Sequence, residues 1–206
     1  MKIRLAAPTS PVPVPVPAYL VGQPGISTET RSALAAISQI HGRVEVVHDQ
    51  SNVFQGGRNR GWTLDQAAVL NALSGDHLHR ATMAVTRADH QRPQQEAFFK
   101  FAERIGYRVL RHAPLHDERG RICEDEMKVD GACRELIRQA AACADVDVVV
   151  VLSGDGGLVN ACRAARRAGK DVFVLCWSGT LHPELQAAAT ATFFLDDLRS
   201  LLTRVH

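Results

Sequence analysis

The run Val148-Val149-Val150-Val151-Leu152 constrains the fold most. A strand with one wet face alternates apolar and polar side chains, whereas an unbroken β-branched run is the mark of a strand covered on both faces, as in a parallel sheet. Shorter stretches repeat the signal at Val44-Glu45-Val46-Val47, Ala81 to Val85, Tyr107 to Leu110, Asp171 to Leu175 and Thr192 to Leu195. Helical patterns separate them: Leu64 to Leu73, Pro93 to Ile105 with Gly106 as a stop, Val129 to Ala144, Leu158 to Ala168 and Pro183 to Ala189. A last helix is expected from Asp197. Strands alternating with helices of this length indicate an α/β fold, a mainly parallel sheet with helices on both faces. Gly56, Gly57, Arg58, Arg60 and Gly61 read as a Gly- and Arg-rich loop after the first strand.

In an open parallel sheet ligands bind beyond the carboxyl ends of strands, where strand order reverses. Asp49 closes the first strand and Asn52 follows it; Asp155 follows the central apolar strand in Ser153-Gly154-Asp155-Gly156-Gly157. With strand order 3-2-1-4-5 these two strands are neighbours at the reversal, and their carboxylates face one crevice. Asp130, in Lys128-Val129-Asp130, adds a third acid at the start of a helix. Each acid alone has an ordinary explanation, as a turn residue or a favourable charge at a helix N-terminus. Together, each at the right kind of element end, they suit a hard cation such as Mg²⁺ or Mn²⁺, which leaves neighbouring carboxylates ionised and can activate water against a phosphodiester.

The 206 residues carry 46% hydrophobic side chains, enough for one domain with an extra segment. A formal net charge of +2 is too even to announce a nucleic-acid binder by composition, so any such surface has to be local. Arg58, Arg60 and Lys128, all close in sequence to the acids, are the candidate RNA-binding residues. The helix cluster Arg163, Arg166, Arg167 and Lys170 reads as a solvated face. Trp62 is a candidate for base stacking, though burial against the core is the simpler expectation. Five cysteines without a CxxC pair argue against a zinc ribbon or a disulfide framework and fit a reducing compartment. His77 with His79, and His112 with His116, lack a third ligand; His48 is the one histidine placed to carry a proton, although strand alternation turns it away from Asp49.

Three segments are expected: a proline-rich N-terminal arm over 1–25, an accessory helix over 26–42, and the catalytic domain over 43–206. Prolines at 8, 11, 13, 15 and 17 impose an extended path, which suits a strap over the domain or a docking segment for a protein partner and does not suit the helical core of a signal peptide. No stretch is apolar enough to span a membrane, so the expected location is the cytoplasm.

The ordered set Asp49-x-x-Asn52, Lys128-x-Asp130, and Ser153-Gly154-Asp155-Gly156, followed by Gly169-Lys170, a strand and the Pro183-Glu184-Leu185 helix, resembles the NYN domain family (the LabA/DUF88 type) of the PIN-like nuclease group. The resemblance covers Val44 to Leu198. It implies a PIN-like three-layer fold, metal ligation by Asp49, Asp130 and Asp155, orientation of water or phosphate by Asn52 and Ser153, and hydrolysis of RNA, single-stranded by expectation. The family motif reads Ser-Gly-Asp-x-Asp-Phe; this chain has Gly157 and Leu158 at the last two places, which removes an acid that would serve a second metal. Glu124, Asp125 or Glu126 could compensate if its loop folds over the site. Two other readings follow from the residues. One is a PIN-like domain with weakened catalysis, acting as an RNA-binding or protein-interaction module or as a homo-oligomeric assembly unit. The other is a phosphate-binding segment like that of lipid and NAD kinases, which the absence of a large β-rich region after it disfavours.

Overall fold

The computed structural model describes residues 43–74, 77–86, 92–113, 115–116, 122–123, 126–198 and 202–204. The proline-rich arm, the accessory helix, Glu124 and Asp125 lie outside the described residues, as does the side chain of Glu126.

In chain order the elements are β1 (Val44–Asp49), α1 (Gln50–Arg58), β2 (Trp62–Leu64), α2 (Gln66–Ser74), β3 (Leu78–Thr86), α3 (Arg92–Arg104), β4 (Tyr107–His112), β5 (Leu115–His116), β6 (Ile122–Cys123), α4 (Glu126–Ala142), β7 (Val148–Leu152), α5 (Val159–Arg167), β8 (Asp171–Cys176), α6 (Pro183–Ala188), β9 (Ala191–Phe194) and β10 (Leu202–Arg204). Six strands form one parallel sheet in the order β4-β3-β1-β7-β8-β9. Counted along this sheet the order is 3-2-1-4-5-6: the reversal falls between β1 and β7, and β9 extends the sheet by one strand beyond the five of the expected order.

Alternation along β1 divides the core. Val44 and Val46 join one cluster with Val53 of α1, Val69 and Leu70 of α2, Phe99 and Ala102 of α3, and Trp177. Val47 joins the other with Val129, Cys133 and Ile137 of α4, Cys162 and Ala165 of α5, and Leu185 of α6. The result is three layers, with α1 to α3 on one face and α4 to α6 on the other. Every residue of β7 is buried, as its composition requires.

Two sequence expectations are corrected. The stretch expected as a Gly/Arg loop is the helix α1 as far as Arg58, started by Asp49, whose side chain accepts from the Asn52 N–H. Its glycines serve contact: a Cβ on Gly56 would lie 2.2 Å from Trp177 Cδ1, and one on Gly57 would lie 2.6 Å from the Trp62 carbonyl oxygen. The expected last helix from Asp197 is instead a single 3₁₀ turn (Leu195–Asp197), with β10 pairing antiparallel to β2. Two- and three-residue strands of this kind owe their existence to a distant partner, which local periodicity does not encode.

His48 is fully buried on the α1–α3 side, edge-on to the Tyr107 ring at 5.7 Å, and neither ring nitrogen has a hydrogen-bond partner among the described residues. Burial pulls its pKa down to about 3, so it is neutral in the folded protein and unsuited to carry a proton. Between that value and the ordinary 6.5 the unfolded chain binds the extra proton; stability is therefore full above 6.5 and falls with acidification. Glu45 and Asp49, raised by burial, act in the opposite sense. The difference between wild type and His48→Leu isolates the imidazole: the variant is expected to be spared about 3 kcal/mol of destabilisation between about pH 7 and pH 4.5, read from urea midpoints at each pH. Parallel pH curves for the two proteins would refute this account of His48.

Candidate active site

The hydrogen-bonded pair β1 and β7 brings Asp49 and Ser153 together across 104 residues of sequence, with His48 opposite Leu152 in the last shared register. Ser153, fully buried, donates its hydroxyl to Asp49 Oδ2 at 3.0 Å and accepts the Asp155 N–H on the same oxygen at 3.2 Å. Asn52 Oδ1, one turn into α1, accepts the Gly154 N–H at 3.1 Å. Two short loops from neighbouring strands are thus stitched by three side chains. Gly154 has no room for anything larger, since a Cβ there would lie 2.3 Å from the Thr180 carbonyl oxygen.

Asp49 is 3% exposed, and its carboxyl is held above the ordinary value. Desolvation is the chief cause; the Asn52 N–H and the Ser153 hydroxyl oppose it, and the Asp155 charge adds to it. Asp155 occupies the N-cap position of the 3₁₀ turn Gly156–Leu158, yet its side chain makes no capping bond. Its Oδ2 is buried and has no hydrogen-bond partner among the described residues. An acid that merely shaped the turn would use its carboxylate there. On α4, the Cys133 thiol is pushed up by burial and then by the charges of Asp49, Asp130 and Asp155.

The oxygen donors suit a hard divalent cation, and the buried, unpartnered Asp155 Oδ2 beside Asp49 fits one. Among the described residues no three His, Cys, Asp or Glu side chains are grouped closely enough to hold a metal by themselves. A cation such as Mg²⁺, which keeps several waters and binds through one or two carboxylates, does not need such a cage.

The basic residues divide. Arg58, in the last turn of α1, and Lys128, in the first turns of α4, are exposed. Arg60 is tied inward: Nε donates to Asp196 at 2.9 Å, a second nitrogen donates to the Gly56 carbonyl at 3.0 Å, and the guanidinium lies over the Trp177 ring. Although burial opposes it, the Ser178 N–H and Arg60 hold Asp196 below the usual carboxylate range. Arg163 and Arg166 pair with Glu184 and Asp171, as a solvated face would. Trp62 packs partly buried against the core, and the described cysteines 133, 143, 162 and 176 are free.

Three residues near the site were not evident from sequence. His182, at the N-cap of α6, accepts the Glu184 N–H on Nδ1, and a Cβ on Gly156 would lie 2.8 Å from its ring. Phe54, four residues before Arg58 on α1, is the exposed large hydrophobic among the described residues. Arg134 of α4 brings a guanidinium nitrogen to within 3.5 Å of where a Cβ on Gly157 would stand. Only the i, i+4 spacing of Phe54 and Arg58 was available as a signal.

No helix among the described residues is long and apolar enough to cross a membrane. The fold is similar to that of a solved structure from Vibrio parahaemolyticus RIMD 2210633, a protein of unknown function designated VPA0982. The two share 19% sequence identity at a TM-score of 0.60, over 76% of this chain and 94% of that one. No curated protein matches. The NYN domain matches residues 43–196, the whole of the six-stranded sheet with its helices and every acid of the site. The chain belongs to the NYN domain family, a family of PIN-like nucleases.

Proposed function

We propose that this protein is a metal-dependent ribonuclease, which hydrolyses phosphodiester bonds of single-stranded RNA at the β1–β7 end of the sheet. The observation that carries the reading is Asp155: an acid at a cap position that makes no capping bond, its buried oxygen without a partner among the described residues, near a second buried acid held by the Asn52 N–H and the Ser153 hydroxyl. Leaving such an oxygen without a partner costs about 1–3 kcal/mol, a cost that a bound cation would remove.

Asp49, Asp130 and Asp155 would hold Mg²⁺ or Mn²⁺, which supplies Lewis acidity toward the phosphate and lowers the pKa of water. Ser153 is a positioning residue: its hydroxyl is used twice, once on each acid's loop, and has no exposure with which to meet phosphate directly. Asn52 likewise holds the Gly154 backbone, which keeps Asp155 in place. Arg58 and Lys128 are exposed and placed to track the RNA backbone, and Phe54 offers a ring on which a base can stack. Arg60 supports this surface from beneath by fixing the end of α1 to Asp196.

Gly157 favours a second reading, an RNA-binding module with weakened catalysis and a protein partner for its N-terminal arm. End-labelled single-stranded RNA incubated with Mn²⁺, Mg²⁺ or EDTA decides between them, using wild type and Asp155→Asn. Cleavage that requires metal and is lost in the variant supports the nuclease. Intact RNA that stays bound to both proteins supports the module.

A further inference from the structure

The family's second acid is absent at Gly157, and the structure has an arginine there. A Cβ built on Gly157 would lie 2.7 Å from Asp155 Oδ2 and 3.5 Å from a guanidinium nitrogen of Arg134. The other terminal nitrogen of Arg134 comes within 3.8 Å of the corresponding point on Gly131, so the side chain turns back along α4 toward the helix start. Among the described residues, Arg134 included, Asp155 Oδ2 has no hydrogen-bond partner. Gly157 itself is exposed, so the gap between carboxylate and guanidinium opens outward.

We propose that Arg134 binds the phosphate of the RNA at this site, in the place vacated by the missing acid. The proposal rests on the nuclease reading for the phosphate's identity. Three carboxylates repel an RNA backbone. Here a fixed positive charge performs the compensation without metal. Arginine suits the task because its planar fork matches phosphate oxygens two at a time and never loses its proton. The absence of a side chain at 157 has the same logic: any Cβ would fill the gap that the phosphate oxygen must enter. The consequence is a site that binds RNA before it binds metal.

The test is fluorescence anisotropy of a labelled oligouridylate of about a dozen nucleotides, titrated with full-length protein in EDTA, with melting curves to confirm that each variant is folded. Arg134→Gln is expected to weaken binding about tenfold and to lower the slope of affinity against salt by about one, and Arg134→Lys to fall between it and wild type. Gly157→Asp, whose introduced carboxylate would meet the guanidinium, is expected to weaken metal-free binding at least as much. Unchanged affinity and salt slope in Arg134→Gln would overturn the proposal, and wild-type protein that binds no RNA in EDTA would do so as well. Cleavage is read separately with Mn²⁺. A wild type that cleaves while Arg134→Gln binds normally refutes only the arginine, whereas one that binds through Arg134 but never cleaves refutes only the nuclease.

Discussion

Asp49→Asn is expected to reduce RNA hydrolysis by about a thousandfold or more while leaving the melting temperature unchanged or raised. The two halves of that expectation have one cause. Asp49 is 3% exposed, and burial together with the charge of Asp155 disfavours its ionised form. Burial therefore favours a neutral group over a carboxylate at this position. The amide keeps the oxygen that accepts the Asn52 N–H, and the Ser153 hydroxyl can rotate to accept from the new NH₂. What is lost is the anionic oxygen that a divalent cation requires. Cleavage rates with Mn²⁺ and a thermal melt on the same preparation check both halves. Retained activity would remove Asp49 from the catalytic set, and a fall in melting temperature of more than a few degrees would show that its charge is structural.

Gly56→Ala is expected to destabilise the fold by about 3 kcal/mol or more, with loss of activity following from loss of folded protein. The added methyl would stand 2.2 Å from Trp177 Cδ1, well inside contact distance. Trp177 has little freedom to yield: it is 1% exposed, its indole N–H donates to the Val53 carbonyl at 2.8 Å, and Arg60 covers its ring. Relief would require α1 to move away from the sheet, and with it the Asn52 side chain that holds Gly154. An unfolding midpoint in urea measures the loss; a change under 1 kcal/mol would mean that α1 floats more freely than its contacts imply.

The sheet was legible in the sequence because its signal is repeated. Runs such as Val148–Leu152 are apolar on both faces, and burial on both faces has few other solutions. The reversal between β1 and β7 was assumed with the strand order and is present in the sheet; at it, Ser153 donates to Asp49 and accepts the Asp155 N–H. What local pattern could not supply was anything decided by a distant surface. Gly56 and Gly57 look like a loop until Trp177 is set against them, for a glycine gives the same letter whether it frees the backbone or makes room. Arg60 was grouped with RNA-binding residues by its neighbours in sequence, whereas Asp196, 136 residues away, determines where it points. Arg134 lay within a helix rich in polar residues, and nothing in helical periodicity separates an arginine aimed along the helix toward its start from one aimed at water. The β10–β2 pair was hidden for the same reason.

The bond from Ser153 to Asp49 also has a consequence for the life of the chain. Its partners are 104 residues apart, and Asp155 arrives only after β7 has been made. A nascent chain emerging from the ribosome carries Asp49 early and can pair β1 with β3, yet until β7 is made it has no serine to orient that acid and no Asp155 beside it. Contacts this remote in sequence close late, after the intervening helices and strands are in place. On the proposed function, such an enzyme is synthesised on a machine made largely of RNA, within reach of its own message. Dividing the proposed metal-binding acids between β1 and the far side of β7 would keep the unfinished protein harmless until most of the domain has left the exit.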